Sequence, residues 1–157
     1  MASVDGHLWK SMWSLNTPPK VWNFLWRACS NILPTRDNMW KKKVQLDPLC
    51  AVCHQQSETV SHIRWECPFA RNVWALVRGK IQKSSAHASD FFTLTRSMLE
   101  RLPCREMEHW AMIAWDIWHA RNKYCFEDTQ ACPEIILRGA TTLLHEYQTL
   151  VANQQTR

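Results

Sequence analysis

The chain has 157 residues, 46% of them apolar, with ten tryptophans and only three glycines; that is room for one domain with a small appendage and too few turn formers for an all-β sandwich. No stretch approaches the roughly 20 apolar residues of a membrane span, and "MASVDGHLWK" holds no apolar run of signal-peptide length, so a soluble protein of the nucleus or cytoplasm, not secreted and without membrane contact, is expected. Charge is uneven: residues 1–83 carry twelve Lys/Arg against five Asp/Glu, and residues 84–157 carry seven against nine, which directs any polyanionic partner to the first half.

In chain order, "PPKVWNFLWRACSNILP" places Val21, Trp22, Leu25, Trp26, Cys29 and Ile32 at helical spacing between prolines, which predicts a helix over 19–32. Thr35 is a candidate cap for a short helix in "TRDNMWKKKV", with Asp37 in its first turn and Lys41, Lys42 and Lys43 at its far end. Pro68 can open a further helix carrying Ala70, Val73, Trp74, Val77 and Ile81 on one face. "KSSAHAS" reads as a loop, Asp90 as the cap of a helix through Leu102, and Pro103 as its stop. The stripes Trp110, Ile113, Ala114, Ile117, Trp118, Tyr124 and Ile136, Ala140, Leu143, Leu144, Tyr147, Val151 then predict a helical hairpin.

Between the basic helix and Pro68 lies "LCAVCHQQSETVSHIRWEC", with three cysteines and two histidines in nineteen positions. Cys50, Cys53, His62 and Cys67 make a CxxC followed after eight residues by HxxxxC, a three-thiolate, one-imidazole set suited to tetrahedral Zn²⁺. Four protein ligands leave no position for an activated water, so the site is structural. Residues five apart lie about 140° apart around an α-helix, so the chain must change course between His62 and Cys67; Thr59 can cap a short turn carrying His62, and Cys67 then sits just ahead of Pro68. His54 is the weaker histidine because it directly follows Cys53. Cys29 belongs to an apolar stripe, and Cys104, Cys125 and Cys132 have no ligand spacing.

The expectation is therefore a mainly α protein, a small zinc-stapled helical domain over 7–83 followed by a helical linker and hairpin over 84–157. No P-loop, GxSxG or HExxH is present, and "PLCAVC" lacks the HxE that a nucleobase deaminase needs upstream, so no catalytic residues are assigned.

"WKSMWSLNTPPKVWNFLWRACSNILPTRDNMWKKKV", the cysteine cluster with "ETVSH", "CPFARNVW" and later "IAWDIWHARN" together resemble the reverse transcriptase zinc-binding domain of plant LINE-type (non-LTR) retrotransposons. The resemblance covers about residues 7–80, and the later helices resemble the segment that links that domain to a ribonuclease H domain. It implies the ligand set Cys50, Cys53, His62 and Cys67, a place after the polymerase of a retroelement polyprotein, and a role in holding nucleic acid. No YxDD-type polymerase motif or carboxylate-bearing ribonuclease H domain lies in these residues, so a detached fragment or stand-alone derivative is expected. Lys20, Arg27, Arg36, Lys41, Lys42, Lys43, Arg64 and Arg71 are the candidates for phosphate contacts with RNA or DNA, with Trp40 or Trp65 available for stacking; polymerase or ribonuclease H domains of the parent element are further candidate partners. The competing expectation is a zinc-stabilised protein-interaction or spacer module in which the tryptophans are core.

Overall fold

A computed structural model describes residues 2–78 and 90–155, apart from the side chains of residues 2–5. The described residues contain seven α-helices and one π-helical turn, and no strand occurs among them. A helix not foreseen from hydropathy, α1 (Ala2–Trp13), comes first; Gly6 interrupts its pattern, and Leu8 and Met12 anchor it in the core. Helix α2 (Pro19–Cys29) starts on Pro19, whose missing N–H costs nothing in a first turn, and buries Val21, Phe24, Leu25 and Ala28. It ends at Cys29 rather than Ile32 because Asn31 turns left-handed (φ 56°) and the Ile32 amide reaches back to the Arg27 carbonyl at 3.0 Å, closing the terminus.

Helix α3 (Arg36–Lys41) is capped as the sequence suggested: Thr35 Oγ1 accepts from the Asn38 amide at 3.2 Å, and Asp37 pairs with Lys41 at 3.0 Å. Thr35→Ala should lower stability by about 1 kcal/mol, read as a shift of the urea midpoint without a change in slope. After the cysteine loop, the π-helical turn His62–Glu66 leads into α4 (Pro68–Ala75). Val77 is buried just beyond α4, while Ile81 and the "KSSAHAS" loop, with the boundary expected at 83/84, lie outside the described residues. Asp90 caps α5 (Phe91–Arg101) through the Thr93 amide at 2.8 Å.

The hairpin is formed by α6 (Cys104–Glu127) and α7 (Pro133–Gln155). From Met107 to Arg121, α6 buries residues on nearly all sides of its axis, as a helix must when it is enclosed by others. It packs against α2, α5, α7 and the π-helical turn. The hairpin and the cysteine-bearing half thereby share one hydrophobic core. Polar ties add to it: Glu108, 5% exposed, accepts from the Asn16 amide at 2.5 Å and from Gln148 Nε2 at 3.1 Å, holding α6 and α7 to the α1–α2 connection.

Candidate metal centre

The loop that carries the first two cysteines is pinched at its base. Leu49 bridges to Ser57, the Cys50 amide donates to the Gln56 carbonyl at 2.7 Å, and the Glu58 amide donates to the Pro48 carbonyl at 2.9 Å. At the tip the His54 amide returns to the Cys50 carbonyl at 2.9 Å with His54 in the left-handed region (φ 59°), so the CxxC is folded into a tight turn with both thiols inward. His54 itself is exposed and stands outside the cluster.

The problem posed by HxxxxC is solved by widening the helix. The Cys67 amide donates to the carbonyl of His62, five residues back, at 2.6 Å, and such a π-turn brings together two side chains that a regular α-turn would separate. Thr59 Oγ1 accepts from the His62 amide at 3.0 Å, the anticipated cap. Cys67 stands directly before Pro68 at the start of α4, where the positive end of the helix dipole favours a thiolate.

These elements bring one donor atom from each of Cys50, Cys53, His62 and Cys67 within 4.8 Å of one another. A tetrahedral zinc with bonds of about 2.0–2.3 Å sets its ligands about 3.5–3.8 Å apart, and Cys53 Sγ and His62 Nε2 are already at 3.3 Å. Cys50 and Cys67 are fully buried and His62 is 2% exposed. Three soft thiols and an imidazole enclosed in this way fit Zn²⁺, with Nε2 as the coordinating nitrogen.

Protons compete for the same four atoms. The hydrogen bond with Cys67, opposed by burial and helped by His62, holds Cys50 below the usual thiol range. The same bond, together with burial, raises Cys67 well above the usual thiol range. Burial works against a charged His62, yet its contacts with Cys50 and Cys53 outweigh this and raise its pKa. A divalent ion in place of these shared protons would offset two of the three thiolate charges. Zinc affinity should therefore fall as pH falls, because each proton gained removes a ligand; chelator competition across a pH series checks this, and full occupancy well below about pH 4 would speak against thiolate ligation.

The other cysteines stay apart. Cys29 lies against the core, where burial pushes its thiol up to about 12, and Cys104, Cys125 and Cys132 do not enter the cluster.

Of the basic residues proposed for phosphate contacts, Lys20, Arg27, Lys41, Lys42, Lys43 and Arg71 are exposed, and Arg36 is half-buried with Nη1 donating to the Asp47 carbonyl at 2.8 Å. Lys20 Nζ also sits 4.4 Å above the Trp115 ring. Arg64 is a correction: it is fully buried and cannot reach a phosphate. The π-helical turn that aims His62 and Cys67 at each other also rotates Arg64 inward, where its guanidinium lies between Phe24 (3.9 Å) and Trp118 (4.9 Å) and Nη1 donates to the Ala114 carbonyl. Burial pushes its pKa well below the usual guanidinium value, and the nearby Arg121 charge adds to the shift. Trp65 is packed on Trp74 at 5.1 Å, whereas Trp40 is 54% exposed.

Glu58, fully buried beside the ligand loop, escapes a reading of local spacing. Its carboxylate accepts from Arg121 Nη2 at 2.5 Å and Nε at 3.1 Å and from the Arg36 amide at 2.9 Å, while its carbonyl accepts from the Asp37 amide at 3.1 Å. One side chain thus joins the ligand loop, the start of α3 and the centre of α6. The "ETVSH" and "WHARN" stretches contain both partners, which lie 63 positions apart in the chain.

No helix among the described residues is long and apolar enough to cross a membrane. No solved structure matches the chain. A protein of Arabidopsis thaliana that bears the name of a ribonuclease H protein is 25% identical over 136 residues, which is 84% of this chain and 21% of that relative, so the chain spans about a fifth of the relative's length. Residues 2–74 match the family described as zinc-binding in reverse transcriptase, a stretch that contains all four cluster residues. Three cysteines and one histidine gathered at ligand spacing within a helical fold are thus found in the stretch, residues 2–74, that is similar to the zinc-binding family of reverse transcriptases.

Proposed function

We propose that the chain is a non-catalytic, structural-zinc module of a retroelement reverse transcriptase protein, one that binds RNA or DNA through phosphate contacts and works beside polymerase or ribonuclease H domains. The observation that carries the reading is the mounting of α3. Glu58 accepts from the first two amides of that helix, and Glu58 itself is fixed by the pinched ligand loop. The metal centre thereby orients a helix end at which Trp40, Lys41, Lys42 and Lys43 are all exposed. Lysines at such an end neutralise phosphates without reading bases. Arg27, Arg36 and Arg71 are further contacts in this reading, and Lys20 adds a charge held over Trp115.

Replacing Lys41, Lys42 and Lys43 together by alanine should flatten the slope of log affinity against log salt by about 2–3 units, equally for unrelated sequences. Fluorescence anisotropy over a salt series measures it. An unchanged slope removes α3 from the interface. No binding by the wild-type protein at about 50 mM salt, where the electrostatic contribution is strong, would favour the protein-interaction or spacer reading, which the inward turn of Arg64 and the tie between Lys41 and Asp37 also support.

A further inference from the structure

Helices α1 and α2 carry a feature that neither the metal centre nor the lysines of α3 use. Trp9 and Trp13 stand one turn apart on α1, and Trp22 and Trp26 stand one turn apart on α2. The two helices pair them crosswise: Trp13 lies 4.6 Å from Trp22, and Trp9 lies 6.5 Å from Trp26, with interplanar angles of 58° and 55°. Phe92 of α5 backs Trp9 at 6.5 Å, and Trp22 Nε1 donates to the Thr17 carbonyl at 3.1 Å. These are fixed rings, and two of them face water, with Trp13 49% and Trp26 42% exposed.

Two half-exposed indoles on one pair of helices leave apolar area open to a partner. The charge around them tells what would cover them. From Gly6 to Arg36 the chain has no acidic residue, while Lys10, Lys20, Arg27 and Arg36 lie in that stretch. Lys10 and Arg27, both exposed, belong to the same two helices as the rings. Aromatic rings interleaved with cations, in a stretch whose carboxylates, Asp5 and Asp37, lie only at its two ends, suit an unpaired, phosphate-linked base. The rungs, set one helical turn or about 6 Å apart, are wider than the 3.4 Å rise of a stacked strand, so they fit an extended single strand rather than a duplex, whose bases are closed to side-on rings.

We propose that the paired tryptophans of α1 and α2 form a stacking platform for the bases of single-stranded nucleic acid, with Lys10 and Arg27 beside its backbone. The proposal rests on the nucleic-acid reading above and adds a second contact region and a strand preference to it.

The test uses the full zinc-loaded chain with a fluorescent single-stranded oligouridylate and a duplex RNA of equal length. Trp13→Ala and Trp26→Ala should each weaken single-strand binding about tenfold or more, the loss expected for one base–aromatic stack. Duplex affinity and the salt slope should stay as in the wild type, because no phosphate contact is removed. The double substitution Trp13→Phe, Trp26→Phe should keep most of the affinity, and zinc content and helicity confirm that each variant is folded. If the alanine variants bind the single strand like wild type, or lose duplex binding equally, the platform is overturned while the phosphate-binding reading stands. If the wild-type protein binds neither probe, both fall. If the alanine variants change only a concentration-dependent self-association seen by sedimentation, the face is a protein contact and the platform is likewise overturned.

Discussion

Cys50→Ser and Cys67→Ser are each expected to abolish zinc binding and, with it, the fold around the ligand loop and the start of α4. The two thiols are fully buried and meet across the cluster. A hydroxyl in place of either leaves three ligands and an uncompensated polar group in a closed site. Because the ligands are not gathered in the unfolded chain, the binding energy of a structural ion is folding energy, of order 10 kcal/mol or more for small zinc domains. Loss of zinc by metal analysis, together with loss of helical circular dichroism, is the expected outcome. Cys132→Ser, at an exposed site away from the cluster, should change neither. Release of zinc by Cys132→Ser with retention by Cys67→Ser would show the ligand assignment to be wrong.

Glu58→Ala is expected to cost about 3–5 kcal/mol, the usual consequence of removing one partner from a buried ion pair. The pair is bidentate, and its carboxylate is the anion near two buried guanidiniums: Arg121 directly, and Arg64, which also contacts the Trp118 ring. Without it both cations share a dry interior, and the Arg36 amide at the start of α3 also loses its acceptor. Urea unfolding of the zinc-loaded variant measures the effect. Glu58→Gln, which keeps an acceptor for the Arg36 amide but not the charge, should fall between wild type and Glu58→Ala. A loss below about 1 kcal/mol in Glu58→Ala would mean that α6 is held by apolar packing alone.

The features legible in the sequence are those whose cause is local. Thr35 and Asp90 act as caps because a short oxygen-bearing side chain three residues before a free amide is enough to make one. Pro68 opens α4 for reasons internal to the first turn. The four cluster residues follow from ligand chemistry and spacing, and the structure gathers all four. The failures have non-local causes. Arg64 looked like one more cation in a basic stretch, yet the π-turn required by the spacing of His62 and Cys67 turns it onto Phe24 and Trp118, residues far away in the chain. Glu58 and Arg121 are ordinary charges until α6 is laid against the ligand loop. Ile32 kept the helical spacing of α2, but the left-handed Asn31 had already ended the helix. Exposure of Trp13 and Trp26 is equally invisible, since each follows the same helical spacing as a buried residue.

That a structural zinc ion holds this helical fold together is tested most directly by metal analysis of the native protein alongside its helicity before and after chelation. One equivalent of zinc per chain, with helical signal lost when the ion is removed, is the predicted result; less than about half an equivalent with undiminished helicity would contradict it.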